Sequence, residues 1–216
     1  MTMGTVFVID DDAFFRNTLR LIFSTAGFAV DTFPGGREFL ASGRSDADAC
    51  LIVDLRMPDM GGIELLRHLR EMRCDIPAIV YTGNADVECT VRAMREGAFT
   101  VIQKPFSNEL MIEEVRQAIA SARQQRTRNA RLQAARASFD SLSERERLVA
   151  QVLAEGKSAR ETGAELNLSA RTVEAHRANI FRKLGINSSA ALVRIVLLAE
   201  LGEVSAGQPN PSALLR

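Results

Sequence analysis

The 216-residue sequence predicts a doubly wound α/β unit of five parallel strands, followed by a small all-helical unit. Three observations carry this. Short Val- and Ile-rich runs alternate with amphipathic stretches through the first 121 residues, the pattern of a parallel sheet covered by helices on both faces. No strand signal follows Ser138, whereas serine-capped helix starts recur. The charge also changes sign: residues 1–121 hold 18 acids against 12 bases, net −6, and residues 122–216 hold 9 against 15, net +6. The overall net charge of zero hides two opposite segments, and such asymmetry suggests that the basic half meets a polyanion.

The strands are predicted at residues 5–9, 29–32, 50–53, 78–81 and 100–103, each too short and apolar for a helix. Phe15, Leu19, Ile22 and Phe23 share one helical face, with Gly27 as the stop. Leu65, Leu66 and Leu69 mark a second helix. Val87, Val91 and Met94 mark a third, ended by Gly97, and Leu110, Val115 and Ile119 mark the last. Residues 122–137 carry Arg123, Arg126, Arg128, Arg131 and Arg136 without one acid, which reads as a solvated helical linker.

In the basic half, Ser143 with Glu146 and Ser158 with Glu161 form capping-box patterns. Ser169 caps a third helix running to about Leu184 and stopped by Gly185. Ser188 caps a fourth carrying Leu192, Ile195, Val196 and Ala199. The Ser-, Pro-, Gly- and Gln-rich residues 203–216 read as a disordered tail.

Composition excludes several classes. Three cysteines without a C-x-x-C pair rule out a disulfide scaffold and suit a reducing compartment. No apolar run approaches the roughly 20 residues that cross a bilayer, and the N-terminus lacks a basic region before its first aspartates. A cytoplasmic protein without membrane association is expected.

In an open parallel sheet, ligands gather beyond the carboxyl ends of the strands. Asp10, Asp11 and Asp12 follow the first strand, Asp54 the third, Thr82 the fourth and Lys104 the fifth. Lys104 is one of three lysines against 24 arginines, so its place at a strand end is notable. Converging carboxylates need a cation to remain ionised together. Oxygen-only donors suit Mg²⁺, which keeps waters and bridges to phosphate. A carboxylate beside it can attack phosphorus, while Lys and Thr hold phosphoryl oxygens. Each residue alone has a plainer reading: Asp10 to Asp12 as a helix cap, Asp54 and Thr82 as turn residues. Their joint placement favours the chemistry.

Val8-Ile9-Asp10-Asp11-Asp12, Val53-Asp54-Leu55-Arg56-Met57-Pro58-Asp59-Met60, Tyr81-Thr82-Gly83 and Gln103-Lys104-Pro105-Phe106 together resemble the response-regulator receiver domains, of flavodoxin-like fold, over residues 5 to about 121. The resemblance implies that Asp54 accepts a phosphoryl group. It implies that Asp11, Asp54 and the Arg56 main-chain carbonyl bind Mg²⁺, with Asp10 acting largely through water. Thr82 and Lys104 would grip phosphoryl oxygens, and the Lys104–Pro105 bond would be cis. The family's switch pairs the Thr with an aromatic residue three positions before the Lys. That position is Val101 here, so the switch region of Thr82 and Val101 must work by other packing or through another surface.

The turn at Asn167-Leu168-Ser169 before a capped helix suggests a helix-turn-helix. Val173, Ile180 and Leu184 would point inward. Arg and Lys suit phosphates, and small Ala lets a helix enter the major groove. Leu142-Ser143-Glu144-Arg145-Glu146 and the run from Thr172 to Ile180, with Lys183-Leu184, resemble the LuxR-type DNA-binding domain over residues 142 to about 201. The resemblance implies DNA contacts from Arg171, Thr172, Glu174, Ala175, Arg177, Ala178 and Arg182, and dimerisation through Leu192, Val196 and Leu197. His176 reads as a structural histidine. Thr162-Gly163 departs from the family's Ile-Ala and is expected to soften its helix.

The two resemblances together point to the NarL/FixJ family, nearest FixJ-like regulators. They imply a transcriptional regulator phosphorylated on Asp54 by a sensor histidine kinase and binding double-stranded DNA, as a homodimer once phosphorylated. It would be no enzyme beyond its own phosphorylation and dephosphorylation. Two rivals stand beside it: an Asp-nucleophile phosphatase using Asp10 and Asp12, which leaves Asp54 unexplained, and a receiver whose DNA binding needs no phosphate.

Overall fold

The computed structural model describes residues 3–83 and 87–207, with 202–207 by backbone alone. The chain divides into two compact units between Gln125 and Arg126. The first contains β1 (Thr5–Ile9), α1 (Ala13–Thr25), β2 (Ala29–Phe33), α2 (Gly36–Ala41), β3 (Ala49–Asp54), α3 (Gly62–Glu71), β4 (Ala78–Thr82), α4 (Val87–Arg95) and β5 (Thr100–Gln103). Helix α5 (Asn108–Asp140) begins in this unit and contains the division. All the strand pairs are parallel, in the order β2-β1-β3-β4-β5. The flavodoxin-like doubly wound sheet is therefore present.

Alternation decides which side of each strand is buried where. Phe7, Ile9, Leu51, Val53 and Val80 pack with Leu65, Leu66 and Leu69 of α3 on one face. Val6, Val8, Ile52, Ile79 and Tyr81 pack with Leu19 and Phe23 of α1 and Met111 and Val115 of α5 on the other. Burial on both faces explains why the strands read as continuous apolar runs. The sheet order reverses after β1, because β2 and β3 lie on opposite sides of it. A crevice therefore opens beyond the ends of β1 and β3, where Asp10 and Asp54 stand.

Several elements differ from the sequence expectation. Strand β3 starts at Ala49 and includes Asp54, and β4 includes Thr82. Helix α2 was not anticipated: at six residues it is too short to show a helical period. The apolar set expected to bury α4 does not do so. Val87 is 81% exposed, and Val91 and Met94 are also exposed, while Ala93 packs inward. Small Ala93 is the buried residue of α4 in the core, with half-buried Cys89 packed against it. On α5, Leu110 is exposed and its neighbour Met111 takes the core position. The arginine-rich stretch is helical, as part of α5, and Arg123 forms a two-pronged ion pair with Asp48 at 2.8 and 3.3 Å.

The second unit contains the rest of α5, then α6 (Glu144–Ala154), α7 (Ala159–Leu166), α8 (Ala170–Leu184) and α9 (Ser189–Gly207). Both capping boxes form, at Ser143/Glu146 and Ser158/Glu161. Ser169 caps α8 through the Thr172 N–H, and Gly185 ends it with φ 64°. Residues 203–207 of the expected tail are helical backbone within α9; residues 208–216 lie outside the described residues. Phe139, Leu142, Val149, Val173, Ile180, Leu192 and Val196 form the core. Leu192 and Val196, expected to serve dimerisation, are thus core residues, because they line the inward stripe of α9. Of that trio only Leu197 is exposed.

Of the Thr162-Gly163 pair, the glycine has a structural reason. A Cβ on Gly163 would lie 2.6 Å from the Leu168 carbonyl oxygen, so glycine lets the turn after α7 close onto the helix. The expected softening of the helix is in this respect a close approach that glycine permits. Thr162 is fully buried and its hydroxyl oxygen has no hydrogen-bond partner among the described residues. Thr162→Val keeps the shape and removes that unsatisfied group. It should raise the stability of the second unit by about 1 kcal/mol, read from its denaturation midpoint; a lower midpoint would show that the hydroxyl is satisfied.

Candidate functional site

The ends of β1, β3, β4 and β5 bring together Asp10, Asp54, Thr82 and Lys104. The first loop is fixed by its own aspartates. Asp12 accepts from the N–H groups of Phe14 and Phe15, capping α1. Asp10 turns inward and is almost fully buried, accepting the Asp12 N–H at 2.6 Å. Arg16 clamps the Asp10 carbonyl at 2.6 Å. Asp11, between the two, is exposed. The plain capping role thus belongs to Asp12 and not to Asp10 or Asp11.

Asp54 closes β3 with 7% of its surface exposed. Its Oδ1 receives Lys104 Nζ at 2.8 Å and its Oδ2 the Arg56 N–H at 2.7 Å. The following loop folds back tightly: Gly62 N–H donates to the Leu55 carbonyl at 3.1 Å. A Cβ on Gly62 would sit 2.6 Å from the Asp54 carbonyl oxygen, so glycine is what allows this approach. Thr82 is buried at the end of β4, beside Gln103 in register, and its carbonyl accepts the Lys104 N–H at 2.8 Å. The Lys104–Pro105 bond is cis, as the resemblance implied. Val101, half-buried, packs against the α3-side core.

The structure adds residues that the sequence did not single out. Tyr81, fully buried, donates its hydroxyl hydrogen bond to Asp10 Oδ2. Its ring stacks on Phe15 at 5.4 Å, and Phe106 meets it edge-on at 6.1 Å. Lys104 Nζ lies 4.3 Å from the Phe15 ring centre and 4.5 Å from that of Tyr81, within cation–π reach. One sequence signal existed: Tyr81 is the chain's single tyrosine and directly precedes Thr82.

The electrostatics are those of crowded carboxylates. Burial pushes the Asp10 carboxyl above the usual aspartate range, with Tyr81 and Asp12 donors opposing and the Asp54 charge adding to the rise. Burial and then the Asp10 carboxylate push the Tyr81 hydroxyl far up, keeping it a neutral donor. Lys104 stands 2.8 Å from Asp54 and 4.0 Å from Asp10, so one ammonium serves two buried acids. No three acidic, His or Cys side chains converge as a ready-made cage among the described residues. The donor set is nonetheless oxygen-only and short of positive charge. That fits Mg²⁺, which needs few protein ligands and keeps its waters.

In the second unit, Asn167 takes a left-handed conformation (φ 54°) between α7 and α8. Arg171, Thr172, Glu174, Ala175, Ala178 and Arg182 are exposed on α8, while Val173 and Ile180 are buried. Arg177 is half-buried: it lies over Phe181 at 5.3 Å, 3.6 Å from Glu174, and donates to Ser189 Oγ at 3.5 Å. Arg182 donates to Asn179 at 2.9 Å. His176 is half-buried. Lys183 pairs at 2.7 Å with buried Glu146, and this contact, with the Ser143 N–H, holds the Glu146 carboxyl down to about 2.

Residues 6–116 match the response regulator receiver domain model, and residues 140–196 match that of the bacterial regulatory proteins of the luxR family. The chain is 38% identical to the transcriptional regulatory protein FixJ of Rhizobium meliloti over 202 residues, 94% of this chain and 99% of that one. It is 34% identical to the response regulator protein TodT of Pseudomonas putida, over 89% of this chain and 85% of that one. Among solved structures it is similar to the response regulator StyR (36% identity, TM-score 0.78, covering 90% of this chain and 98% of that one). It is also similar to full-length FixJ from B. japonicum (35%, 0.60, 93% and 99%). Receiver domains typically catalyse only their own phosphorylation and dephosphorylation. By both halves and by near full-length similarity, it belongs to the FixJ/NarL family of response regulators, a receiver domain followed by a LuxR-type helix-turn-helix.

Proposed function

We propose that this regulator is switched by phosphorylation of Asp54 by a sensor histidine kinase, and that the phosphorylated form binds double-stranded DNA as a homodimer in the cytoplasm. The observation that carries the reading is Lys104 Nζ at 2.8 Å from Asp54 Oδ1, at the sheet's reversal point. An Asp54 oxygen would bond to phosphorus as the donor's P–N bond breaks, the electron pair leaving on the imidazole nitrogen. Lys104 and Thr82 would then hold phosphoryl oxygens. Asp11, Asp54 and the Arg56 carbonyl would hold Mg²⁺, Asp10 acting through water; the ion supplies charge compensation for the acids and the phosphoryl group. Val101 would give way as Thr82 moves. Residues 122–137 would link the receiver, 1–121, to the DNA-binding domain, 138–202. Arg171, Thr172, Arg177 and Arg182 would meet phosphates or bases, with Glu174, Ala175 and Ala178 toward the groove.

No single helix among the described residues is long and apolar enough to cross a membrane. The test uses the full chain and a random-sequence duplex pool enriched on it. Acetyl phosphate with Mg²⁺ should raise retention of the enriched duplex at least about tenfold. Equal retention with and without the phosphodonor would replace this reading with constitutive DNA binding.

A further inference from the structure

We infer that the Tyr81 hydroxyl is a positioning group that keeps Asp10 from direct ligation of a divalent cation and so sets the cation affinity of the site. The inference rests on the cation site proposed above and adds a residue to it.

The argument starts from how each carboxylate is engaged. Asp10 has two oxygens, and both already accept strong donors. Oδ1 takes the Asp12 N–H at 2.6 Å, and Oδ2 takes the Tyr81 hydroxyl. Lys104 stands a further 4.0 Å from Oδ2. Asp10 is thus turned into the protein, 2% exposed, and held there from two directions. Asp11 is exposed, and Asp54 faces Lys104 and the Arg56 N–H.

Tyr81 itself cannot yield easily. Its ring is stacked on Phe15, braced by Phe106 and buried in the core on the α1 and α5 side of the sheet. A rigid neutral donor aimed at one carboxylate oxygen lowers the charge that oxygen can offer a cation. Direct ligation by Oδ2 would require that bond to weaken, whereas ligation through water leaves it in place. A hydroxyl-to-carboxylate bond of this kind is worth enough to shift a binding constant severalfold.

Tyr81→Phe isolates the effect, because it keeps the ring that packs on Phe15 and faces Lys104. The measurement is calorimetric titration of the full chain with Mg²⁺, for wild type, Tyr81→Phe, Asp10→Asn and the double variant. Tyr81→Phe should lower the Mg²⁺ Kd about fivefold. In the Asp10→Asn background the same change should have no effect, which a merely structural role for the ring would not reproduce. An unchanged or raised Kd in Tyr81→Phe, with wild type binding normally, overturns the role of Tyr81. Mg²⁺ binding that is absent in wild type, or that survives Asp54→Ala and Asp11→Ala unaltered, overturns the cation site itself.

Discussion

Asp54→Ala is expected to abolish covalent labelling of the full chain by a radiolabelled small phosphodonor with Mg²⁺, by more than about a thousandfold. The size follows from the lack of a substitute nucleophile in the site among the described residues. Asp10 is buried with both oxygens engaged, and Asp11 is exposed with no lysine ion pair of its own among the described contacts. Among the described residues, Asp54 is the carboxylate at the crevice with an ammonium at 2.8 Å to receive a phosphoryl oxygen. The fold should persist, because Lys104 retains Asp10 at 4.0 Å as a charge partner and a methyl group fills part of the vacated space. Circular dichroism of the variant should therefore match wild type. Undiminished label in a folded variant would show that another side chain is the acceptor.

Ile180→Ala should have the largest effect on stability, about 3 kcal/mol. Ile180 is fully buried in the small helical core with Val173, Leu142 and Leu192. A unit of this size has only a few kcal/mol in reserve, so the loss should leave it largely unfolded at 37 °C. The first unit has its own two-sided core and no residue in this cluster. Labelling at Asp54 should continue while DNA retention disappears. A variant that retains DNA with an unaltered melting transition would mean that the site collapses without cost.

Much of this was legible in the sequence because the signals were local and periodic. Five parallel strands buried on both faces must be short apolar runs, and they were found within one or two residues. The serine caps were equally direct, since a capping box is written in residues three apart. Helix α2 escaped because six residues do not complete two turns. The inward face of α4 was misjudged, whereas on α9 the stripe was right and its occupant was not: an apolar stripe marks a helix but not what lies against it. On α4, Val87 and Met94 are exposed and Ala93 packs; on α9, Leu192 and Val196 are buried where a partner surface was expected.

The candidate site divides along the same line. Residue types and strand ends by themselves determined that Asp10, Asp11, Asp54, Thr82 and Lys104 would gather, because parallel topology sends every strand's carboxyl end to one edge. Gly163 stood out by its departure from the family pattern, without its cause. Only the tertiary structure decided how the acids are shared: Asp12 to the helix, Asp10 to Tyr81, Asp54 to Lys104. That sharing depends on contacts across 71 residues for Tyr81 and 50 for Lys104, which no local pattern encodes. Gly163 gained its reason in the same way, from a carbonyl oxygen that the turn brings to 2.6 Å of where a Cβ would stand.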